Sequence, residues 1–157
     1  MYLSRSTRCG LFLAVFAVSG VAQDSPTADV ASFEAVTDLR QNMEWILEPA
    51  AEVIWDSAGA VITEAGERDL SPTSEEGWAD VVNASALLAE AGNLMMIPGR
   101  SAGLDWNRHA MRMSAAGKQA LDAAVAKDAT ALFDAGGEIY QACLACHMQY
   151  WADSRQN

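Results

Sequence analysis

The sequence has few basic residues, few cysteines and few histidines. It contains three cysteines, two histidines and ten lysines and arginines, against 21 acidic residues, and its formal net charge at pH 7 is −11. This charge argues against a nucleic-acid partner and against an anionic membrane surface, because both recruit basic side chains. No stretch alternates apolar and polar residues as a half-buried strand does. The sequence therefore predicts an acidic, all-α protein.

The N-terminus has no acidic residue but carries Arg5 and Arg8, followed by an apolar run of about fourteen residues that ends at Ala22. That run is shorter than the roughly 20 residues that a membrane-spanning helix needs. Small residues then occupy the positions that a signal peptidase reads. We expect residues 1–22 to be a cleaved signal peptide and residues 23–157 to be one periplasmic domain without a membrane anchor. An uncleaved anchor is the alternative.

Ten residues before the C-terminus the chain reads Cys143-Leu144-Ala145-Cys146-His147. Positions i, i+3 and i+4 of a helix share one face, so the two thiols and the imidazole point in similar directions. The pattern C-x-x-C-H is the attachment motif of a c-type haem. It predicts one covalent haem c, bound through Cys143 and Cys146, with His147 as an axial ligand of the iron.

Two other chemistries use a C-x-x-C pair. A zinc site needs about four ligands, and the predicted mature chain offers only these two cysteines with His109 and His147. A redox-active dithiol follows a strand at a helix N-terminus, and nothing before Cys143 resembles a strand. Free cysteines beside a chance histidine are a third interpretation. His109 on its own is either a second axial ligand or an ordinary hydrogen-bonded histidine.

Apolar residues recur at helical spacing in four segments of the chain. The first segment begins near Asp29 and is interrupted by Pro49, which predicts a kink. A loop from Gly59 to Ser74 follows, with a short helix over residues 61–65 as one option. A capping box at Thr73 begins the second helix, Asp105 caps the third, and a turn at Lys127-Asp128 precedes the fourth. Four such helices predict an antiparallel four-helix bundle. The predicted inward residues are, in chain order, Phe33, Val36, Arg40, Met43, Leu47, Ala50, Ile54; Trp78, Val81, Ala84, Leu88, Ala91, Met95; Trp106, Ala110, Met113, Gly117, Ala120, Ala124; and Leu132, Ile139, Cys143, His147, Tyr150.

This arrangement, with the haem motif on the last helix, resembles the class II cytochromes c, the cytochrome c′ family. In residue detail the resemblance rests on the motif and on Tyr150, which matches the family's aromatic residue three positions after the histidine and is expected to pack at the haem face. Where the family often has a basic residue next, this chain has Trp151. Members of the family commonly form dimers, so the resemblance also suggests a homodimer.

The resemblance further implies that a residue of the first helix covers the other face of the haem. Met43 is the candidate sixth ligand of the iron. If its side chain points away, the cover is apolar and comes from Leu39, Ile46 or Leu47. Arg40 is assigned a contact with a haem propionate by the same resemblance, and a surface ion pair is its alternative role.

These features favour one-electron transfer to and from a redox partner protein that the sequence does not identify. The alternative is a five-coordinate haem protein that binds NO or CO for sequestration or sensing. No acid–base pair is placed by a motif as a peroxidase would require, so we predict that the protein is not an enzyme. A haem-free helical interaction module is the remaining alternative.

Overall fold

The computed structural model describes residues 33–154, and side chains up to Trp151. The predicted signal peptide, its cleavage site and Cys9 lie outside the described residues. Residues 33–154 contain four helices and one β-hairpin, which confirms a mostly helical protein. Helix α1 comprises Leu39–Asn42, Met43–Leu47 and Glu48–Trp55; the others are α2 (Glu75–Met95), α3 (Leu104–Ala126) and α4 (Ala129–Ser154), and the strands are β1 (Ala60–Thr63) and β2 (Gly66–Asp69). None of these helices is long and apolar enough to cross a membrane.

The β-hairpin was not predicted, and both the irregular loop and the short helix over residues 61–65 are wrong. Strands β1 and β2 pair antiparallel, with Ala60 opposite Asp69 and Thr63 opposite Gly66. Gly66 has φ +125°, a conformation that residues with a Cβ rarely adopt. Every residue of both strands is exposed. Because neither face of the hairpin is buried, the alternation that marks a half-buried strand is not required.

Helix α1 begins at Leu39 rather than near Asp29, and residues 33–38 before it are not helical. Asp38 caps the helix, since its side chain accepts the backbone N–H of Gln41 at 2.7 Å while Gln41 bonds back to the backbone of Asp38. Met43–Leu47 form a π-helical turn in which the N–H of Glu48 bonds to the carbonyl of Met43, five residues back. Pro49 explains this turn, because it has no N–H and its ring crowds the carbonyl four residues earlier.

The π turn changes which side chains of α1 enter the core. An inserted residue rotates the preceding helix by about 100° relative to the following part. Leu47 and Ile54 are buried as predicted, but Arg40 is 83 % exposed and Met43 is only half-buried. Asn42 takes the inward position and is fully buried. The predicted stripe is thus correct from Leu47 onward and wrong before it, where Phe33 and Val36 are also exposed.

Helices α2 and α3 match the predicted core more closely. All their predicted inward residues are buried. The caps differ by one or two residues, because Ser74 rather than Thr73 accepts the N–H of Gly77, and Gly103 rather than Asp105 precedes α3. The turn between α3 and α4 is as predicted, with Lys127 left-handed at φ 53° and Asp128 capping α4 through the N–H of Ala131.

Small residues set the distance between α2 and α3. A Cβ built on Gly117 would lie 2.6 Å from the backbone N of Ala89 and 2.8 Å from its Cα, too close for any real contact. Ser114, one turn away, donates its hydroxyl to the carbonyl of Ala89 at 2.7 Å. The backbones of the two helices are therefore in direct contact along this line.

We expect Gly117→Ala to destabilise the protein by about 1–3 kcal/mol, because the added methyl group forces the two backbones apart. Gly137 on α4 is the matched control, since a Cβ there meets nothing within 4 Å. Gly137→Ala should stabilise the helix by about 0.5–1 kcal/mol through reduced backbone entropy. Urea unfolding of both variants measures the two effects. A change in the free energy of unfolding that has the same sign in both variants would contradict the packing described.

One end of the helical core brings together the start of α1, the end of α2, the start of α3 and the end of α4. Arg100 donates from Nη2 to the carbonyl and hydroxyl oxygens of Thr37, at 2.6 and 2.7 Å. Trp106 donates its indole N–H to the carbonyl of Met95 at 2.8 Å, and its ring meets Tyr150 edge to face at 5.0 Å. We call this the α4-terminal end; it contains the C-x-x-C-H motif.

Candidate haem-attachment site

The two cysteines of the motif lie on the inner side of α4. Cys146 is 8 % exposed within the hydrophobic core, and Cys143 is half-buried against it. Both thiols are free. Burial raises the pKa of each thiol, and the nearby Cys146 raises the pKa of Cys143 further. The pair is therefore protonated at neutral pH and lies where an apolar group attached to it would touch the core.

His147 lies at the edge of this face and is exposed, which differs from the predicted inward position. It follows Ile139 by eight residues, which places it about 80° further round the helix. The imidazole meets the ring of Trp151 edge to face at 5.3 Å. No hydrogen bond to the imidazole is found among residues 33–151. Its nitrogens are accordingly not engaged by those residues, as a metal ligand requires.

The contacts between α1 and α4 indicate a groove that opens toward the motif. The two helices meet at Trp55, whose indole N–H donates to the carbonyl of Gly136 at 3.0 Å. A Cβ on Gly136 would lie 3.2 Å from the Trp55 ring, which explains one glycine of the Gly136-Gly137 pair. Toward the α4-terminal end, by contrast, Met43–Leu47 pack mainly on α2. The helices therefore separate as they approach the motif.

Met43 and His147 are at about the same level along this groove. Met43 precedes Trp55 by twelve residues and His147 follows Gly136 by eleven, which is roughly 17 Å along each helix at about 1.5 Å per residue. Counted from the Trp55–Gly136 contact, the predicted sixth ligand and the predicted axial ligand are therefore about equally far along their two helices. Their side chains differ in exposure, since Met43 is half-buried against the core and His147 is exposed.

The side chains near the motif suit an apolar group held by α4. Apolar side chains remain partly or largely exposed on both helices: Leu39, Met43 and Trp45 on α1, and Leu144, Met148 and Trp151 on α4. Exposed apolar patches of this kind mark ligand or partner surfaces. Together with two neutral thiols and a neighbouring imidazole, they are the donor set and lining that a c-type haem needs.

Two of the predicted contacts have other partners in the structure. Arg40 pairs with Glu44 at 2.7 Å, and this carboxylate raises the pKa of its guanidinium. Tyr150 is half-buried and packs on Trp106 and on His109, whose ring centroid is 6.0 Å away. The propionate contact of Arg40 and the haem-face packing of Tyr150 stay predictions.

His109 is an ordinary structural histidine. Its Nε2 lies 2.8 Å from Oε1 of Gln149, and the side chain is half-buried. The bond links α3 to the end of α4. This partner accounts for the imidazole without a metal, in agreement with the hydrogen-bonded alternative.

The structure offers little for a zinc or dithiol site. Among the described side chains, no group of three or more His, Cys, Asp and Glu could hold a metal ion. The cysteines lie well inside α4, so the N-terminal amides that lower a thiol pKa are distant. The raised pKa of both thiols opposes the thiolate form that zinc and disulfide exchange require.

Two open grooves lie away from the motif. One, of about 840 Å³, runs between α3 and α4 and is acidic, with Asp122, Asp128, Asp134 and Glu138 among its lining residues. The other, of about 540 Å³, is mostly apolar and includes Trp55 and Phe133. Neither contains a residue of the motif.

On α1, the structure also shows a candidate functional residue, Asn42, that the sequence patterns did not indicate. Its side chain is fully buried, and among residues 33–151 neither its amide oxygen nor its amide nitrogen has a hydrogen-bond partner. Each such unsatisfied group costs about 1–3 kcal/mol. Regular helical spacing places Asn42 beside the predicted inward stripe rather than in it. The one feature of the sequence that indicates a change of helical register near Asn42 is Pro49.

No protein-family model, no curated protein and no solved structure matches this chain.

Proposed function

We propose that this protein is a periplasmic c-type cytochrome that transfers single electrons, built as an antiparallel four-helix bundle like those of the cytochrome c′ family. The observation that carries the proposal is the motif itself: two free, neutral thiols on the inner side of α4, followed by an imidazole that the described residues leave without a hydrogen bond. The groove between α1 and α4 receives the haem.

Each residue of the motif has a defined part. Cys143 and Cys146 would hold a porphyrin through thioether bonds, each made by addition of an S–H group to a vinyl group. His147 would supply a nitrogen ligand to the iron from the edge of the same helix. The bound iron would supply the chemistry, a change of one unit in oxidation state. The core around Cys146 excludes water from one side of the site.

The acidity of the chain supports a small, transient encounter with its redox partner. Redox complexes are typically weak and bury little surface. A strongly negative protein selects a partner with a basic or neutral surface and approaches it faster at low ionic strength. The partner is a separate protein of that charge, and the haem edge at the groove is the point of contact.

The optical spectrum of the reduced protein tests whether Met43 binds the iron. If it does, the wild type has a low-spin spectrum that carbon monoxide leaves unchanged, and Met43→Leu becomes high-spin and binds carbon monoxide. Met111→Leu is the control, since Met111 is exposed on α3. A wild type that is already high-spin and binds carbon monoxide would remove Met43 as a ligand.

A second function, the binding of a diatomic gas such as NO or CO, is favoured by the contrast between neighbouring residues on α1. Met43 is half-buried, whereas the polar Asn42 beside it is fully buried. An iron without a strong protein ligand on its α1 side would leave that position open for a gas. The same spectra separate the two functions.

A further inference from the structure

We propose that Asn42 is a ligand-binding residue of the haem pocket: its amide donates a hydrogen bond to a diatomic molecule bound on the α1 side of the iron. This inference rests on the haem attachment proposed above, and it assigns the gas-binding role to a particular side chain. Its basis is a buried amide that has no partner among the described side chains, toward the end of the helices where the motif lies.

The position of Asn42 follows from the contacts at the α4-terminal end. Thr37, just before α1, bonds to Arg100, and Tyr150 packs on Trp106 at the same end. Asn42 lies four residues from Asp38, and Cys146 lies four residues from Tyr150, each counted along its helix away from the α4-terminal end. Each separation is about 6 Å. The amide and the thiol are therefore at a similar depth in the core.

The buried side chains of the core toward this end of the helices are apolar apart from the thiol of Cys146. They include Ala91 and Met95 on α2, and Ala110 and Met113 on α3. Ser85 is the other fully buried polar residue with an unpartnered side chain, but it lies ten residues before Met95, about 15 Å further along α2. An amide enclosed by apolar groups requires a polar partner, and the described part of the chain does not supply one.

Because Asn42 is fully buried, only some polar groups of a haem complex could be its hydrogen-bond partner. Charged propionates need water and lie at an exposed rim, where Arg40 is found, so they do not suit a fully buried amide. A small uncharged molecule on the iron does suit it, because it needs one donor and little space. The π turn that begins at Met43 brings Asn42 to this inward position, and such turns are frequent at functional sites.

Carbon monoxide bound to the reduced, haem-loaded protein is the probe. We expect the wild type to bind it, and Asn42→Leu, which has a similar volume and no donor, to raise the C–O stretching frequency. The dissociation rate constant should rise about 2- to 12-fold, the equivalent of one lost hydrogen bond. Asn83→Leu, on the exposed side of α2, should change neither quantity.

A measurement on the wild type makes the test independent of how the variant folds. In D₂O the amide protons exchange, and a ligand that is hydrogen-bonded to them shifts its stretching frequency. If the reduced protein carries haem but does not bind carbon monoxide, or if exchange and Asn42→Leu leave the stretch unchanged, Asn42 merely holds a buried water and the inference is wrong. Haem attachment would stand in those cases. A wild type without covalent haem would instead overturn both.

Discussion

Replacing Cys143 and Cys146 together by serine is expected to abolish covalent haem staining of the protein on a denaturing gel. Serine is close to cysteine in size but cannot form the thioether. Cys146 is buried and Cys143 half-buried, so each thiol meets a group that lies against the core. The double variant should be exported, since the predicted signal peptide is unchanged, and should give no stained band.

The single variants are the controls for this experiment. Cys143→Ser and Cys146→Ser each retain one thiol, so both should stain at reduced intensity, because one thioether still survives denaturation. Staining of the double variant at the wild-type level would contradict attachment through these residues. A wild-type band without stain would end the cytochrome interpretation altogether.

Replacing His147 by alanine is expected to change the spectrum of the bound haem while the thioethers remain. The iron loses its nitrogen ligand from α4, so the oxidised and reduced spectra should both shift, and added imidazole should partly restore them. The imidazole of His147 is exposed, and within residues 33–151 it has no hydrogen bond and one aromatic contact, with Trp151, so little stability depends on it. Because the ring is exposed, the side chain can rotate toward a group held in the groove.

His109→Ala separates a ligand effect from the loss of any histidine. His109 bonds to Gln149 and packs on Tyr150, so its removal should lower the free energy of unfolding by about 0.5–1.5 kcal/mol. The haem spectrum should stay the same. An unchanged spectrum in His147→Ala, or a larger change in His109→Ala, would show that the iron is held by a different residue.

The helices and most of the core could be predicted from the sequence because their patterns are regular. The inward residues of α2 and α3 repeat at helical spacing without interruption, and all of them are buried. The hairpin of β1 and β2 was missed for the opposite reason: its residues are all exposed, so burial leaves no pattern in them. What holds it is strand pairing and the turn at Gly66.

The α1 side of the site could not be predicted, because one proline changes the helical register. Pro49 was expected to kink the helix, but the spacing gives no indication that a π turn would rotate Met43 partly out of the core and Asn42 into it. The motif itself is local and could be read directly. The exposure of His147 depends on how much of the surface of α4 the other helices cover. The spacing between Cys143 and His147 does not specify this.

The mass of the intact exported protein, measured after denaturation, tests the central claim most directly. We predict a chain beginning near Gln23 that carries the mass of one haem, with the added mass on the peptide that contains Cys143 and Cys146. A chain of unmodified mass, whose two thiols both react with an alkylating reagent, would contradict the account.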